Sequence, residues 1–524
     1  MIRISKAKNN APTAYLNGRP LLSRHNPQEE VRRYIDKTLS EPYPPAVIII
    51  GDILNYFAIE IKRRCPTAIV ISLHFDRRLI AKTPLKSVSS YIVEQGAELH
   101  GCLAAHLTEL DVHGLQIIEW MPSVQAFPKQ ATVARQAAAD LLNMQNGNIS
   151  TTAFFGRRWI RNAFKNFLSM DEVGRLPQSG KPILIAASGP TLAKSIPYLK
   201  EHRSSVMLWA LPSAVSALLD SLIEPDLVVL TDPGYYSLLH FYPLEGFQRV
   251  PIAMPLTATK SVRSFSSLTI PINQGFFFEH DLLSLAHIDA TQVPPNGSVA
   301  GTALELTAGK GPATVIAGLD FAADDIHSHV RPHMFEPFLA KTTSRIDPLL
   351  TRKYGRSRTH QASHDTHALK GPLRTYADWF SRYLARSGRC VYRLFPSDVR
   401  IEGFVEMEGA DLARLCRGHK NEGPVLLEST HLLPLKKRKS LASVLLSRWI
   451  ASILQMQSRN SDLPVSTSSF FNSNELLLVY FVDARNVLKI FSEKKHIYKI
   501  GDFAGPLAAT VSFLHEIASQ INMR

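Results

Sequence analysis

The sequence predicts an α/β protein built around a parallel sheet with helices on both faces. Three observations carry this expectation. Short apolar runs at 46–50, 182–186, 206–210, 227–230 and 314–317 alternate with stretches whose apolar residues recur at helical spacing. These runs are almost wholly aliphatic, as strands buried on both faces must be. Several end in a polar turn: Gly51-Asp52, Ser188-Gly189-Pro190-Thr191, Thr231-Asp232-Pro233 and Gly318-Leu319-Asp320. In an open α/β sheet the ligand crevice lies outside the carboxyl ends of the strands, so these turns are the first place to look for a site.

The whole chain sets further bounds. Its 524 residues exceed one ordinary core, and two or three domains are expected. Hydrophobic content of 45% is that of a globular protein. No apolar run reaches the roughly 18 residues that span a bilayer. The longest, 476–482, has the length of a strand. Met1-Ile2-Arg3-Ile4-Ser5-Lys6 is basic without a following apolar stretch, which argues against a secretion signal. Cys65, Cys102, Cys390 and Cys416 show neither metal nor disulfide spacing, so a cytoplasmic protein with reduced thiols is expected. The net charge of +14 attracts anions. No nucleic-acid-binding motif accompanies it, so nucleic acid is not assigned as a partner. Lys436-Lys437-Arg438-Lys439 is either a solvated face or a peripheral membrane or partner contact.

Taken in order, residues 1–130 read as a small, degenerate Rossmann-like domain. Strand 46–50, a helix at 54–64 and strand 68–73 form a βαβ unit, with Asp76 after the second strand. The first turn has only Gly51, where a pyrophosphate site would need further glycines. Residues 131–180 read as a helical linker, with Asn146-Gly147-Asn148 stopping the helix at 131–148 and a basic amphipathic helix following it. Residues 181–405 form the central parallel-sheet domain. Within it, 324–368 loses periodicity and carries His327, His329, His333, His360, His364 and His367. A long irregular stretch of this kind reads as a functional lid or a disordered loop. Residues 406–524 read as mainly helical.

The residues themselves leave roles open. Ser188, Gly189 and Thr191 offer N–H groups and hydroxyls at a helix start, fit for a phosphate, or they form only a strand-to-helix turn. Asp232 and Asp320 end strands that look adjacent, and each serves as a ligand contact or as a turn cap. His327, His329 and His333 are candidates for a general base, since histidine titrates near neutral pH, and their spacing could equally suggest a metal site. With no helix to fix the pair and no cysteine nearby, no metal site is assigned.

Four segments in order resemble the motility-associated factor (Maf) family of bacterial flagellin glycosyltransferases, with its 6-hydroxymethylpterin pyrophosphokinase MptE-like domain. They are Ile183-Leu184-Ile185-Ala186-Ala187-Ser188-Gly189-Pro190-Thr191-Leu192, residues 223–233 around Asp232, Gly297-Ser298-Val299-Ala300, and Ile316-Ala317-Gly318-Leu319-Asp320-Phe321. The resemblance covers about 150–405. It implies a sialyltransferase-like central fold, a CMP-activated nonulosonic acid as donor, and Ser or Thr of flagellin as acceptor. No tightly bound cofactor is implied, and a divalent cation is an option. Thr191 replaces the family's usual serine and keeps the hydroxyl. Ser188 stands where sialyltransferases tend to carry a nucleotide-contacting asparagine.

On this reading Ser188, Gly189, Pro190, Thr191 and Ser298 hold the nucleotide, and Tyr235 and Tyr236 offer phenolic hydrogen bonds to its phosphate. Asp232 and Asp320 orient ribose, sugar or an ion. His329 is the first choice of base, with His327 and His333 beside it. Two other classes compete: a pterin pyrophosphokinase using ATP and magnesium, and a non-catalytic flagellin accessory protein.

Overall fold

Paired on both edges, the short aliphatic runs of the two sheets satisfy their buried backbone as strands. The computed structural model describes residues 1–522 apart from 42, 82–84, 95–98, 246–249, 323–326, 350, 352–371, 398, 418–426, 460, 467–468, 471 and 493–497. Much of the 324–368 loop, with His360, His364 and His367, therefore lies outside the described residues. The chain divides into two compact units, Met1–Arg157 with Leu446–Gln520, and Arg158–Leu445 with Ile521–Arg524.

The first unit opens with an antiparallel meander, β1 (Ile2–Lys6), β2 (Pro12–Leu16) and β3 (Arg19–Pro20). A parallel sheet follows from β4 (Ala46–Ile50), β5 (Ile69–His74), β6 (Val88–Ile92) and β7 (Gln116–Glu119), in the order β6-β5-β4-β7. Every residue of β4 is buried. Val47 and Ile49 pack with Phe57 and Ile61 of the Tyr56–Arg64 helix. Ile48 and Ile50 pack on the other face with Ala134, Ala138 and Leu141.

Two sequence expectations fail in this unit. Gly147 does not stop a helix: one helix runs Pro128–Ser169. A glycine inside a helix costs only about 1 kcal/mol against alanine, far less than the apolar burial on either side of it. The 476–482 run is not a strand but lies within the Asn474–Phe491 helix, begun by Ser473, whose hydroxyl accepts the Leu476 N–H. Buried residues go on past a kink at Asp483 through Ala484, Val487 and Leu488, so the run belongs to a helical segment longer than a strand would need. Gly156 allows the two helices to meet, since a Cβ there would collide with the Phe481 carbonyl.

The second unit is built on an eleven-stranded sheet among the described residues. Its strands are β8 (Glu172–Gly174), β9 (Ile183–Ala186), β10 (Met207–Ala210), β11 (Leu227–Val229), β12 (Val250–Pro255) and β13 (Ser266–Asn273). The others are β14 (Thr291–Gln292), β15 (Thr314–Ala317), β16 (Val391–Leu394), β17 (Phe404–Met407) and β18 (Ser429–His431). The order is β17-β16-β15-β9-β10-β11-β12-β13-β8-β18, with β14 beside β13. All pairs are parallel except β18 with β8. Ile183 and Ile185 pack with Trp209, Leu304 and Phe380, while Leu184 and Ala186 pack with Leu192, Leu218 and Phe241 on the opposite face.

This order corrects one expectation. The strands ending at Asp232 and Asp320 are not neighbours, because β9 and β10 lie between β11 and β15. The chain lays down β9, moves outward through β10 to β13, then returns to place β15 against the other edge of β9. The reversal between β9 and β15 is a topological switch point, where ligands of open α/β sheets bind.

Candidate active site

The Ala187–Leu192 turn leaves β9 at that switch point. Gly318, at φ +70°, passes so close that a Cβ would sit 2.6 Å from the Ala187 carbonyl oxygen. The Gly189 N–H donates to Gly318 O at 2.7 Å. Thr191 donates its N–H to Asp320 Oδ2 at 2.7 Å and its hydroxyl to Asp320 Oδ1 at 2.5 Å. Asp320 is buried, and a Cβ on Gly189 would collide with its carboxylate. Burial raises the Asp320 pKa, opposed by the Thr191 bonds and by the charges of Arg393 and Lys194.

The N–H groups of Gly189 and Thr191, expected to hold a phosphate, are thus already used within the protein. Pro190 has none to offer. Asp320 holds the turn, because its strand arrives directly beside β9. What the turn still presents is its half-buried surface and the Ser188 hydroxyl, which accepts from Ser213 Oγ at 2.7 Å. Ser213 follows β10 and was not singled out in the sequence.

Asp232 follows β11 and is exposed. Its Oδ1 accepts the Gly234 N–H at 2.6 Å. Enough protein crowds the carboxyl group to raise its pKa, opposed by the Gly234 N–H and the Arg158 charge. The loops here are clamped by the Pro128–Ser169 helix. Asn162 Nδ2 donates to Pro233 O at 3.1 Å and Thr257 O at 3.0 Å, and Asn166 Nδ2 to Leu256 O and Ala258 O at 2.8 Å. Asparagines four apart lie on one helix face, a signal available in the sequence but not used.

Tyr235 and Tyr236 begin the 3-10 helix Tyr235–Leu244 and are 64% and 59% exposed, so their phenols are presented rather than packed inward. Leu238, Phe241 and Leu244 anchor that helix. Tyr236 packs against Phe338 at 5.3 Å between ring centroids.

The histidine segment lies against the switch-point turn. Val330 is buried and its N–H donates to Ser188 O at 2.9 Å. His329 stacks on His333 with centroids 4.4 Å apart. His333 meets His240 at 5.1 Å. Burial, then the charge of His329, pushes the His240 pKa down to about 4, so this ring is neutral at neutral pH. His240 is distant in sequence from the others, and only the fold joins them. His327 stands apart from this stack, its Nδ1 3.5 Å from Glu336 Oε1, which Arg331 also approaches through Oε2 at 3.2 Å.

Ser298 caps the Val299–Leu306 helix, its hydroxyl accepting the Gly301 N–H at 3.5 Å. That helix leads into β15, and a crossover helix of a parallel sheet starts at the carboxyl edge. Ser298 therefore shares the edge of Ser188, Asp232 and Asp320. Glu279, also missed in the sequence, is fully buried and accepts the Leu256 N–H at 2.7 Å and the Gln274 N–H at 2.8 Å. Burial raises its pKa to about 7.

No group of three His, Cys, Asp or Glu is placed to hold a metal ion among the described residues. No helix among them is long and apolar enough to cross a membrane. The basic run at 436–439 is not one uniform surface. Arg438 is buried and donates to Leu433 O, Phe167 O and Asp171 Oδ1, while Lys436 and Lys437 are exposed.

Residues 157–325 match the family model described as 6-hydroxymethylpterin diphosphokinase MptE-like. One uncharacterized protein of Treponema pallidum (strain Nichols) is 28% identical over 300 residues, 57% of this chain and 64% of that protein. A second from the same organism is 24% identical over 377 residues, 66% of this chain and 64% of that protein. The matches thus span 64% of these relatives' length. The solved structure of the Maf glycosyltransferase from Magnetospirillum magneticum AMB-1 superposes with a TM-score of 0.54 at 10% identity, covering 99% of this chain and 86% of that one. The chain carries an MptE-like domain and shares its fold with a Maf glycosyltransferase.

Proposed function

We propose that the chain is a Maf-type glycosyltransferase. It moves a nonulosonic, sialic-acid-like sugar from a CMP donor to Ser or Thr of flagellin in the cytoplasm, in support of flagellar assembly and motility. The observation that carries this reading is the histidine segment joined to the switch-point turn through Val330 and Ser188. It brings the segment that carries His329 and His333 against the turn at the edge where an α/β sheet binds its ligand.

In the transfer, the bond between the anomeric carbon and the phosphate oxygen breaks, and CMP leaves with the electron pair. The acceptor oxygen forms the new bond and gives up its proton to an imidazole. His329 is assigned that proton, with His333 stacked on it and His327, beside Glu336, as the remaining candidate. The Ser188 and Ser213 hydroxyls, with Tyr235 and Tyr236, supply hydrogen bonds to the departing phosphate, where charge builds in the transition state. Asp232 orients ribose or sugar, with or without a divalent cation, and Ser298 lines the same edge. Asp320 holds the turn.

The description of the matched family model favours a second reading, a pterin pyrophosphokinase using ATP and magnesium. Thermal stabilisation across CMP, CDP, ATP and GTP separates the two. CMP at 100 times its dissociation constant should add about 2.7 kcal/mol, and ATP should add nothing. Magnesium-dependent stabilisation by ATP without any by CMP would reverse the assignment.

A further inference from the structure

We propose that Arg393 is a positioning residue for the nucleotide site, holding the switch-point turn through Leu319, Ser397 and Asp320. The proposal rests on the reading of this edge as the donor site.

Arg393 lies on β16, separated from β9 by β15, and is 1% exposed. Its Nε donates to Leu319 O at 2.9 Å, its Nη1 to Val399 O at 2.7 Å and its Nη2 to Ser397 Oγ at 2.8 Å. Ser397 gives its own hydroxyl hydrogen to Asp320 O at 2.8 Å. The Asp320 carboxylate then takes the N–H and hydroxyl of Thr191. An unbroken chain of hydrogen bonds therefore runs from the interior of β16 to the turn that borders the crevice.

Two features separate this arrangement from ordinary core packing. A guanidinium is costly to bury, and an apolar side chain would fill the same strand position more cheaply. Burial pushes the Arg393 pKa down to about 10, opposed by the charges of Asp320 and Glu406. The backbone it braces is also strained. Phe321 lies at φ +51°, in the left-handed region that side chains other than glycine rarely enter. Such a conformation persists only where its surroundings fix it, and it gathers at ligand sites. Every bond from Arg393 goes to the loops at the carboxyl edge, which is how a supporting group preorganises a site.

Ser397→Ala removes the link to Asp320 together with the acceptor of Arg393 Nη2, and Arg393→Lys keeps the charge but loses the fork. Both should weaken nucleotide affinity by about tenfold by calorimetry, read at a temperature where melting curves show each variant folded, since breaking a buried charged network also lowers the melting temperature. Hydrogen exchange at the Gly189 and Thr191 amides should accelerate at least tenfold in Ser397→Ala. Unchanged exchange at those amides overturns the proposal whatever the protein binds. Faster exchange with unaltered affinity reduces Arg393 to a structural tie and overturns it as well. If the wild type binds none of CMP, CDP, ATP and GTP, the donor-site reading falls, while exchange still decides whether Arg393 holds the turn.

Discussion

Two carboxyl groups at the same edge of the second sheet show how environment sets role. Asp320 is buried with both oxygens engaged, so it holds geometry, whereas Asp232 is exposed with one oxygen bonded to Gly234. Replacement of His329 by alanine should lower transfer by on the order of a hundredfold or more with CMP affinity unchanged, as loss of a general base does. Single-turnover rates would check it, and wild-type rates in His327→Ala, His329→Ala and His333→Ala alike would leave the mechanism without a base. Glu279 makes a prediction about stability. Its folded pKa of about 7 lies above the ordinary 4.5, so the native state holds its proton more tightly than the unfolded chain does. Its contribution is complete below about pH 4.5 and is lost as pH rises through about 7, a swing on the order of 3 kcal/mol. Glu279→Gln should flatten that dependence. Urea melts at pH 5 and pH 8 should show the variant's deficit largest at pH 5.

At the scale of elements, the Pro128–Ser169 helix shows two glycines with opposite meanings. Gly147 is exposed, with open space where a Cβ would stand, so Gly147→Ala should stabilise by about 0.5–1 kcal/mol through helix propensity. Gly156 faces the Phe481 carbonyl, and Gly156→Ala should destabilise because backbone must move to admit a methyl. Thermal melts of the two variants should shift in opposite directions. A shared sign would mean that the close approach at Gly156 does not hold. The Asn162 and Asn166 side chains extend the same helix's role, since each ties two loop carbonyls beyond β11 and β12.

Over the whole molecule, two parallel sheets each reverse direction once, yet their switch points differ. In the first sheet the reversal lies between β4 and β7, and its space is filled. A Cβ on Gly51 would sit 2.7 Å from Ser123 Cβ. Asp52 is buried and accepts the Phe57 N–H at 3.2 Å, the Ala58 N–H at 3.3 Å and the Ser72 hydroxyl at 2.7 Å. Burial raises the Asp52 pKa and lowers that of His74, whose Nδ1 is 2.9 Å from Asp52 O. The helix start that would face a pyrophosphate is capped by the protein's own carboxylate. The second switch point has the same kind of cap in Asp320 but keeps a half-buried turn and a histidine segment beside it. The nucleotide titration described above should therefore saturate at one nucleotide per chain.

By itself the sequence determined the α/β class, the strands β4, β5, β9, β10, β11 and β15, and the polar turns that follow several of them, but not β7, which completes the first switch point. Those features are local: an aliphatic run ending in glycine and aspartate reads the same wherever it sits. Helical run lengths were misread at Gly147 and at 476–482, because packing along a whole helix outweighs one glycine or one short apolar window. Tertiary structure alone decided the order of strands, and so which turns meet. It placed Asp320 beside Thr191, His240 beside His333, and Arg393 beneath Leu319, pairs separated by 60 residues or more in the chain. Such contacts depend on a return crossing of the sheet, and no local pattern of residues encodes where a returning strand will land.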